Sequence, residues 1–155
     1  MQARMKSPAL VLPAAMEAMQ LLAKAIEAAG VPRETFELIN LRASQINGCA
    51  VCLDMHSRAL RKLGVADERI HTVAAWREAP YFSDAERAVL ALTEAVTRLA
   101  DTCDAVPDEI WKEAARHYGE PQLASILLAI GQINVWNRIN AATRQVTGPW
   151  TAQYI

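Results

Sequence analysis

An all-α fold, a single-domain bundle of about six to seven helices, is what this sequence predicts, on three observations. Strand signals are nearly absent: no sustained apolar/polar alternation runs through it, and Asn47-Gly48 has helical flanks rather than β-branched ones. Helix formers (Ala, Leu, Glu, Gln, Arg) are abundant. Proline and glycine fall between apolar-periodic segments, where helices begin and end.

Taken in order, a first helix runs from about Pro13 to Ala29, with Gly30 as its stop. Pro32 opens a second toward Asn47, and Gly48 interrupts. A third, central helix starts at the cysteine pair, carries Cys52 to Leu63 and ends at Gly64. A fourth runs from about Ala66 to Arg77, ended by Pro80. Ser83 and Glu86 form a capping box for a fifth, reaching about Leu99. Pro107, Asp108 and Glu109 start a sixth that ends at Gly119. Pro121 starts a long seventh toward Val146, with a break expected at Gly131 and a stop at Gly148-Pro149. The linkers are short, so residues 1–155 are expected to form one domain, without repeats or low-complexity tracts.

The bulk properties narrow the function. With 155 residues the chain is long enough to bury a core. A formal charge of −1 provides no cationic field for nucleic acid or anionic lipid, and neither is expected as a partner. The apolar stretch Ala9 to Met16 is too short to span a membrane and contains Pro13. Arg4 and Lys6 ahead of it faintly imitate a signal peptide. However, Glu17 and Lys24 follow, and Leu12, Met16, Met19 and Ile26 recur at helical spacing. The segment reads as an amphipathic first helix, and the protein as cytoplasmic.

Chemistry concentrates at Cys49-Ala50-Val51-Cys52. Three cysteines do not make a secreted disulfide framework, and in a cytosolic chain this spacing points to redox work or a metal. At about 100° per residue, Cys49, Cys52, His56, Leu60 and Leu63 share one stripe, while Asp54, Arg58, Arg61 and Lys62 lie opposite. His56 is one turn beyond Cys52, within reach of it. Cys49 sits at a helix start, where free N–H groups and the dipole favour a thiolate. An imidazole can take a thiol proton, and a second sulfur two residues away can close a disulfide on an oxidised partner. Glu37 lies among Phe36, Leu38, Ile39, Leu41, Ala43 and Ile46, where a carboxylate needs a partner. A helical hairpin would bring it back to His56, giving a Glu37, His56, cysteine relay.

These residues carry a family resemblance. The run Glu37-Leu38-Ile39, then Ser44, Asn47, Cys49, Cys52 and His56, resembles the core motif of AhpD-like alkylhydroperoxidases of the carboxymuconolactone decarboxylase superfamily. Trp76-Arg77-Glu78-Ala79-Pro80, Phe82-Ser83-Asp84-Ala85-Glu86-Arg87 and Asn134-Val135-Trp136-Asn137-Arg138 are similar too, so the likeness covers roughly residues 30 to 145. The resemblance implies an AhpD-like all-α fold, usually a trimer or hexamer. It implies a thiol peroxidase reducing hydrogen peroxide or organic hydroperoxides. In it Cys52 attacks the peroxide, Cys49 resolves, Glu37 and His56 relay protons, and an external dithiol resets the pair. No cofactor and no metal are expected. Where the best-known members carry a further histidine between the cysteines, this chain has Val51, which the wheel turns away from the stripe; a simpler relay is implied. The decarboxylase branch generally lacks the cysteine pair.

Other readings stand beside this one. The pair reads also as two small buried hydrophobes, or as part of a zinc site completed by His56 with Glu37, His71 or Cys103. A non-catalytic thiol redox switch or scaffold is the alternative function. The helix start favours a low pKa at Cys49, whereas His56 and the resemblance favour Cys52 as the attacking sulfur; we take Cys52. Cys103 is given no role, and His71 and His117 read as surface residues. Trp76, Trp111, Trp136 and Trp150 read as packing or subunit contacts, with Trp150 and Tyr154 placed to dock on a neighbouring subunit. Asn134 and Asn137, in the most apolar helix, must find partners, at the site or at a subunit interface.

Overall fold

Prolines at helix starts and glycines after helix ends divide the chain into short rods, and burial of their apolar faces decides how the rods stack. The computed structural model describes residues 1–100 and 102–154. Among them lie α1 (Pro8–Val11), α2 (Pro13–Glu27), α3 (Arg33–Asn47), α4 (Ala50–Lys62), α5 (Asp67–Thr72), α6 (Asp84–Thr97), α7 (Asp108–His117) and α8 (Glu120–Thr143). Two 3₁₀ segments, Val73–Ala75 and Pro149–Tyr154, complete the order, and no strand occurs among the described residues. The all-α bundle is therefore observed, with one short helix, α1, beyond the expected six to seven. No helix is long and apolar enough to cross a membrane among the described residues.

The centre of the bundle is α3. It buries Thr35 to Ile39 and Leu41 to Ser44, and packs on α4, α6 and α8. One core cluster (Ile26, Phe36, Ile39, Leu92, Ile126, Ile130) lies between α3 and the α2, α6, α7, α8 side. A second (Leu38, Leu60, Val73, Trp76, Phe82, Leu90) lies on the α4, α5, α6 side. A third, smaller one holds Ala43, Cys49, Val51, Cys52 and Ile133, where α3, α4 and α8 meet.

Buried charge on α3 and α6 is matched rather than avoided. Glu94 accepts from Arg42 Nε at 2.7 Å, Trp76 Nε1 and Arg77 Nη1 at 2.9 Å each, and Arg98 Nη1 at 3.1 Å. Burial pushes its carboxyl up, but the donors from Trp76, Arg77 and Arg42 outweigh it and hold the pKa at about 2. The same Trp76 follows the fourth expected helix, observed as α5, which stops at Thr72. That helix is shorter than the reading to Arg77, because the chain turns at Val73–Ala75 to bury the indole against Glu94.

Other boundaries shift for local reasons. Gly48 takes φ 65°, which lets α3 end and α4 begin within three residues, with Cys49 as N-cap, so the cysteine pair stands at the helix start as expected. α8 runs unbroken through Gly131, an exposed position whose cost of about 1 kcal/mol is outweighed by the helix packing on α2, α3 and α6. It ends at Thr143, short of Val146, because Arg144 turns into the left-handed region. The Ser83 capping box is present: Glu86 N–H donates to Ser83 Oγ at 3.3 Å, and Ser83 N–H to Glu86 Oε2 at 2.9 Å. Ser83→Ala is expected to cost about 1 kcal/mol, lowering Tm by about 2–4 °C in a thermal melt.

Two wheel assignments on α4 change. Val51, expected to point away from the stripe, is 3% exposed, and Leu63, expected on the core stripe, is 45% exposed. Arg58, Arg61 and Lys62 stay exposed as expected, and returning chain covers only the end of that face holding Val51 and Asp54. Ile133 of α8 packs in the cluster with Val51, and Asp54 accepts hydrogen bonds from Thr147 at 2.8 Å and Thr151 at 2.6 Å.

Candidate active site

Both cysteine sulfurs lie in the small apolar cluster, each residue 3% exposed, as free thiols. Their Sγ atoms are 2.9 Å apart. That is a shared-proton contact, less than about 1 Å from bonding distance, since a disulfide spans roughly 2.05 Å. The partners are unequal. Cys49 is brought down to about 6, chiefly because the Cys52 thiol donates to it; burial opposes, and the Cys52 backbone N–H and the amides of Asn140 and Asn137 assist. Cys52 is pushed strongly up, first because its proton is held in that bond, then by burial and by the charge on Cys49. The pair therefore favours its negative charge on Cys49, at the helix start.

One turn along α4, His56 Nδ1–H donates to Glu37 Oε2 at 2.7 Å. Glu37 is 6% exposed, and Arg33 Nε stands 3.8 Å from its other oxygen. The hairpin of α3 and α4 thus brings carboxylate and imidazole together. Among the described residues, no hydrogen bond joins His56 to either sulfur. The site consequently has two separate hydrogen-bonded pairs: a thiol pair facing α8 and a Glu–His pair between α3 and α4.

Asn140 was missed by sequence reasoning and touches the chemistry directly. Its Nδ2 lies 3.4 Å from Cys52 Sγ and 3.7 Å from Cys49 Sγ. Asn134 and Asn137, expected to need partners, have them within this chain. Asn47 Nδ2 donates to Asn137 Oδ1 at 2.8 Å and to Asn134 Oδ1 at 3.0 Å. Asn137 donates in turn to Ser44 Oγ at 3.0 Å, and Asn134 to Thr97 Oγ1 at 3.2 Å. This amide ladder ties α8 to the end of α3, directly behind the cysteines. The signal was available: Asn134, Asn137 and Asn140 recur every three residues along one face of an apolar helix.

The remaining candidates lie elsewhere. Cys103 and His71 are exposed, and His117 pairs with Glu113 at 3.1 Å. No group of three or more His, Cys, Asp or Glu able to hold a metal ion comes together among the described residues. Trp76 is buried, Trp136 packs on the cysteine cluster, and Trp111 and Trp150 are about two-fifths exposed. The side chain of Tyr154 lies outside the described residues. Beside Cys49 opens a pocket of about 430 Å³, also walled by Val51, Asn140, Arg144 and Gln145.

Comparison with known proteins gives a consistent picture. The model of the carboxymuconolactone decarboxylase family matches residues 13–95. An uncharacterized protein of Bacillus subtilis, YdfG, is 40% identical over 85% of this chain and 88% of its own length. The alkyl hydroperoxide reductase AhpD of Bradyrhizobium diazoefficiens is 51% identical over 43 residues, 28% of this chain and 24% of that one. The crystal structure of ATU0492 from Agrobacterium tumefaciens, a protein of unknown function given the AhpD name, superposes with a TM-score of 0.87 at 35% identity. It covers 95% of this chain and 99% of its own.

Proposed function

The chain belongs to the carboxymuconolactone decarboxylase family as an AhpD-like member, and from that premise we propose that it is a dithiol-dependent peroxidase acting on organic hydroperoxides or hydrogen peroxide. The observation that carries this reading is the buried pair of sulfurs in contact at 2.9 Å. Cys49 holds the charge and is the base for Cys52. As Cys52 Sγ attacks the distal peroxide oxygen, its proton passes to Cys49. The S–O bond forms, the O–O bond breaks, and the alkoxide takes a proton to leave as alcohol. Cys49 then attacks the Cys52 sulfenic acid: the S–S bond forms, the S–O bond breaks, and the proton that Cys49 had accepted leaves with the departing hydroxide as water. An external dithiol supplies two electrons and two protons to restore both thiols.

The Glu37–His56 pair serves the oxygen atoms rather than the sulfurs. A helix turn separates Cys52 from His56, with side-chain roots about 5–6 Å apart, room for a peroxide oxygen or one water between them. His56 delivers the proton that the alkoxide requires, and the Glu37 carboxylate, accepting from Nδ1–H, holds the ring in place. With Val51 between the cysteines, this is the only imidazole assigned to the relay.

We place the enzyme in the cytoplasm as a homo-oligomer, a trimer or hexamer. Its support is the exposed apolar surface of Leu10, Val11, Leu12 and Leu21 at the α1–α2 corner and Leu128 and Val135 on α8. The test of function is consumption of cumene hydroperoxide and of hydrogen peroxide with dithiothreitol as reductant. Turnover with either, accompanied by cycling of a Cys49–Cys52 disulfide, is expected. A protein that forms this disulfide without turnover, and changes subunit mass or partner as it does so, is a redox switch instead.

A further inference from the structure

The pocket beside Cys49 contains a cation that the reaction above does not use. No aspartate or glutamate lines this pocket. Every other arginine of the chain donates to a carboxylate, an amide oxygen or a main-chain carbonyl. Arg144, on the pocket wall, has neither a hydrogen bond nor an ion pair to its guanidinium among the described residues. It is also the one non-glycine residue with positive φ among them, at φ 53° and ψ 47°. Glycine would take that conformation without strain; what arginine adds there is an exposed positive charge and a fork of donors on the pocket wall. Asn140, buried between the pocket and the sulfurs, links this wall to the reacting atoms.

We propose that this pocket binds a carboxylate-bearing reactant of the dithiol, with the Arg144 guanidinium as its anion contact. The carboxylate belongs either to an organic hydroperoxide or to the reducing dithiol, since both must reach the same sulfurs. The inference rests on the dithiol reading for its chemistry, but the anion contact is testable without it.

Reduced full-length protein is alkylated with iodoacetate or iodoacetamide, and the rate is read on the peptide carrying Cys49. Relative to wild type, the iodoacetate-to-iodoacetamide ratio is expected to fall about fivefold in Arg144→Gln and to stay within about twofold in Arg144→Lys. An unchanged ratio in Arg144→Gln overturns the proposal. Two steady-state arms then assign the carboxylate. The first compares cumene hydroperoxide with its para-carboxylate under dithiothreitol, and the second compares dihydrolipoamide with dihydrolipoate under cumene hydroperoxide. A preference for the charged partner that collapses in Arg144→Gln supports the proposal and identifies the source; preference in neither arm, with turnover present, overturns it. Absence of turnover in both arms defeats the peroxidase reading, and the alkylation ratio still decides the pocket.

Discussion

Replacing Cys52 with serine is expected to end dithiol-dependent hydroperoxide turnover, a loss of at least about 10³-fold, while the protein stays folded. The substitution removes the atom that is oxidised but changes little volume in the cluster of Ala43, Val51 and Ile133. Cys49→Ser separates the two roles. Cys52 is then expected to attack once and stop at the sulfenic acid, consuming about one equivalent of hydroperoxide and trapping a dimedone adduct on Cys52. The wild-type pH profile follows from the shared proton. Cys49, at about 6, is the base for Cys52, so the rate of the first step falls about tenfold per pH unit below that value. In Cys49→Ser this acid limb moves to higher pH, because Cys52 loses its base. If Cys52→Ser retains the single turnover and Cys49→Ser loses it, attack transfers to Cys49, which carries the charge and walls the pocket. Full turnover in both variants sinks the mechanism.

Glu94→Gln is expected to cost about 3 kcal/mol of folding stability. The carboxylate accepts from four residues on three elements, and its loss leaves the Arg42 guanidinium, buried on α3, without a counter-charge. The pH dependence carries the same information. A carboxyl whose folded pKa is depressed from 4.5 to about 2 adds stability that is complete above pH 4.5 and lost as pH falls through 2. Between those values wild type is expected to lose about 3 kcal/mol through this residue, read as a falling urea midpoint. Glu94→Gln starts lower and lacks that step. Parallel midpoint curves for the two proteins would show that Glu94 is not the group responsible.

Much of this was legible before any coordinates. Helix starts at Pro32, Ser83 and Pro121 and stops at Gly30, Gly48 and Gly64 depend on the few residues around each terminus, so local chemistry specifies them. The Cys-x-x-Cys-x-x-x-His spacing places its side chains on one side of a single helix, which is also local geometry. The carboxylate of Glu37 among apolar neighbours announced a buried partner, and the short α3–α4 turn left His56 as the nearest one.

What local periodicity does not encode is which face of a rod another segment covers. The wheel described α4 alone, and so turned Val51 and Asp54 toward water. The tertiary structure lays α8 and the Pro149–Tyr154 segment over that face. Asn140 announced only that a buried amide needs partners; that they are sulfurs 88 and 91 residues away is set by how α8 crosses the α3–α4 corner. The same holds for Glu94 and Arg42, 52 residues apart. It holds most sharply for the cysteines. Their spacing allowed a redox pair, but which sulfur holds the proton depends on burial, on two amides from α8 and on a 2.9 Å contact, none of which exists until the bundle is packed.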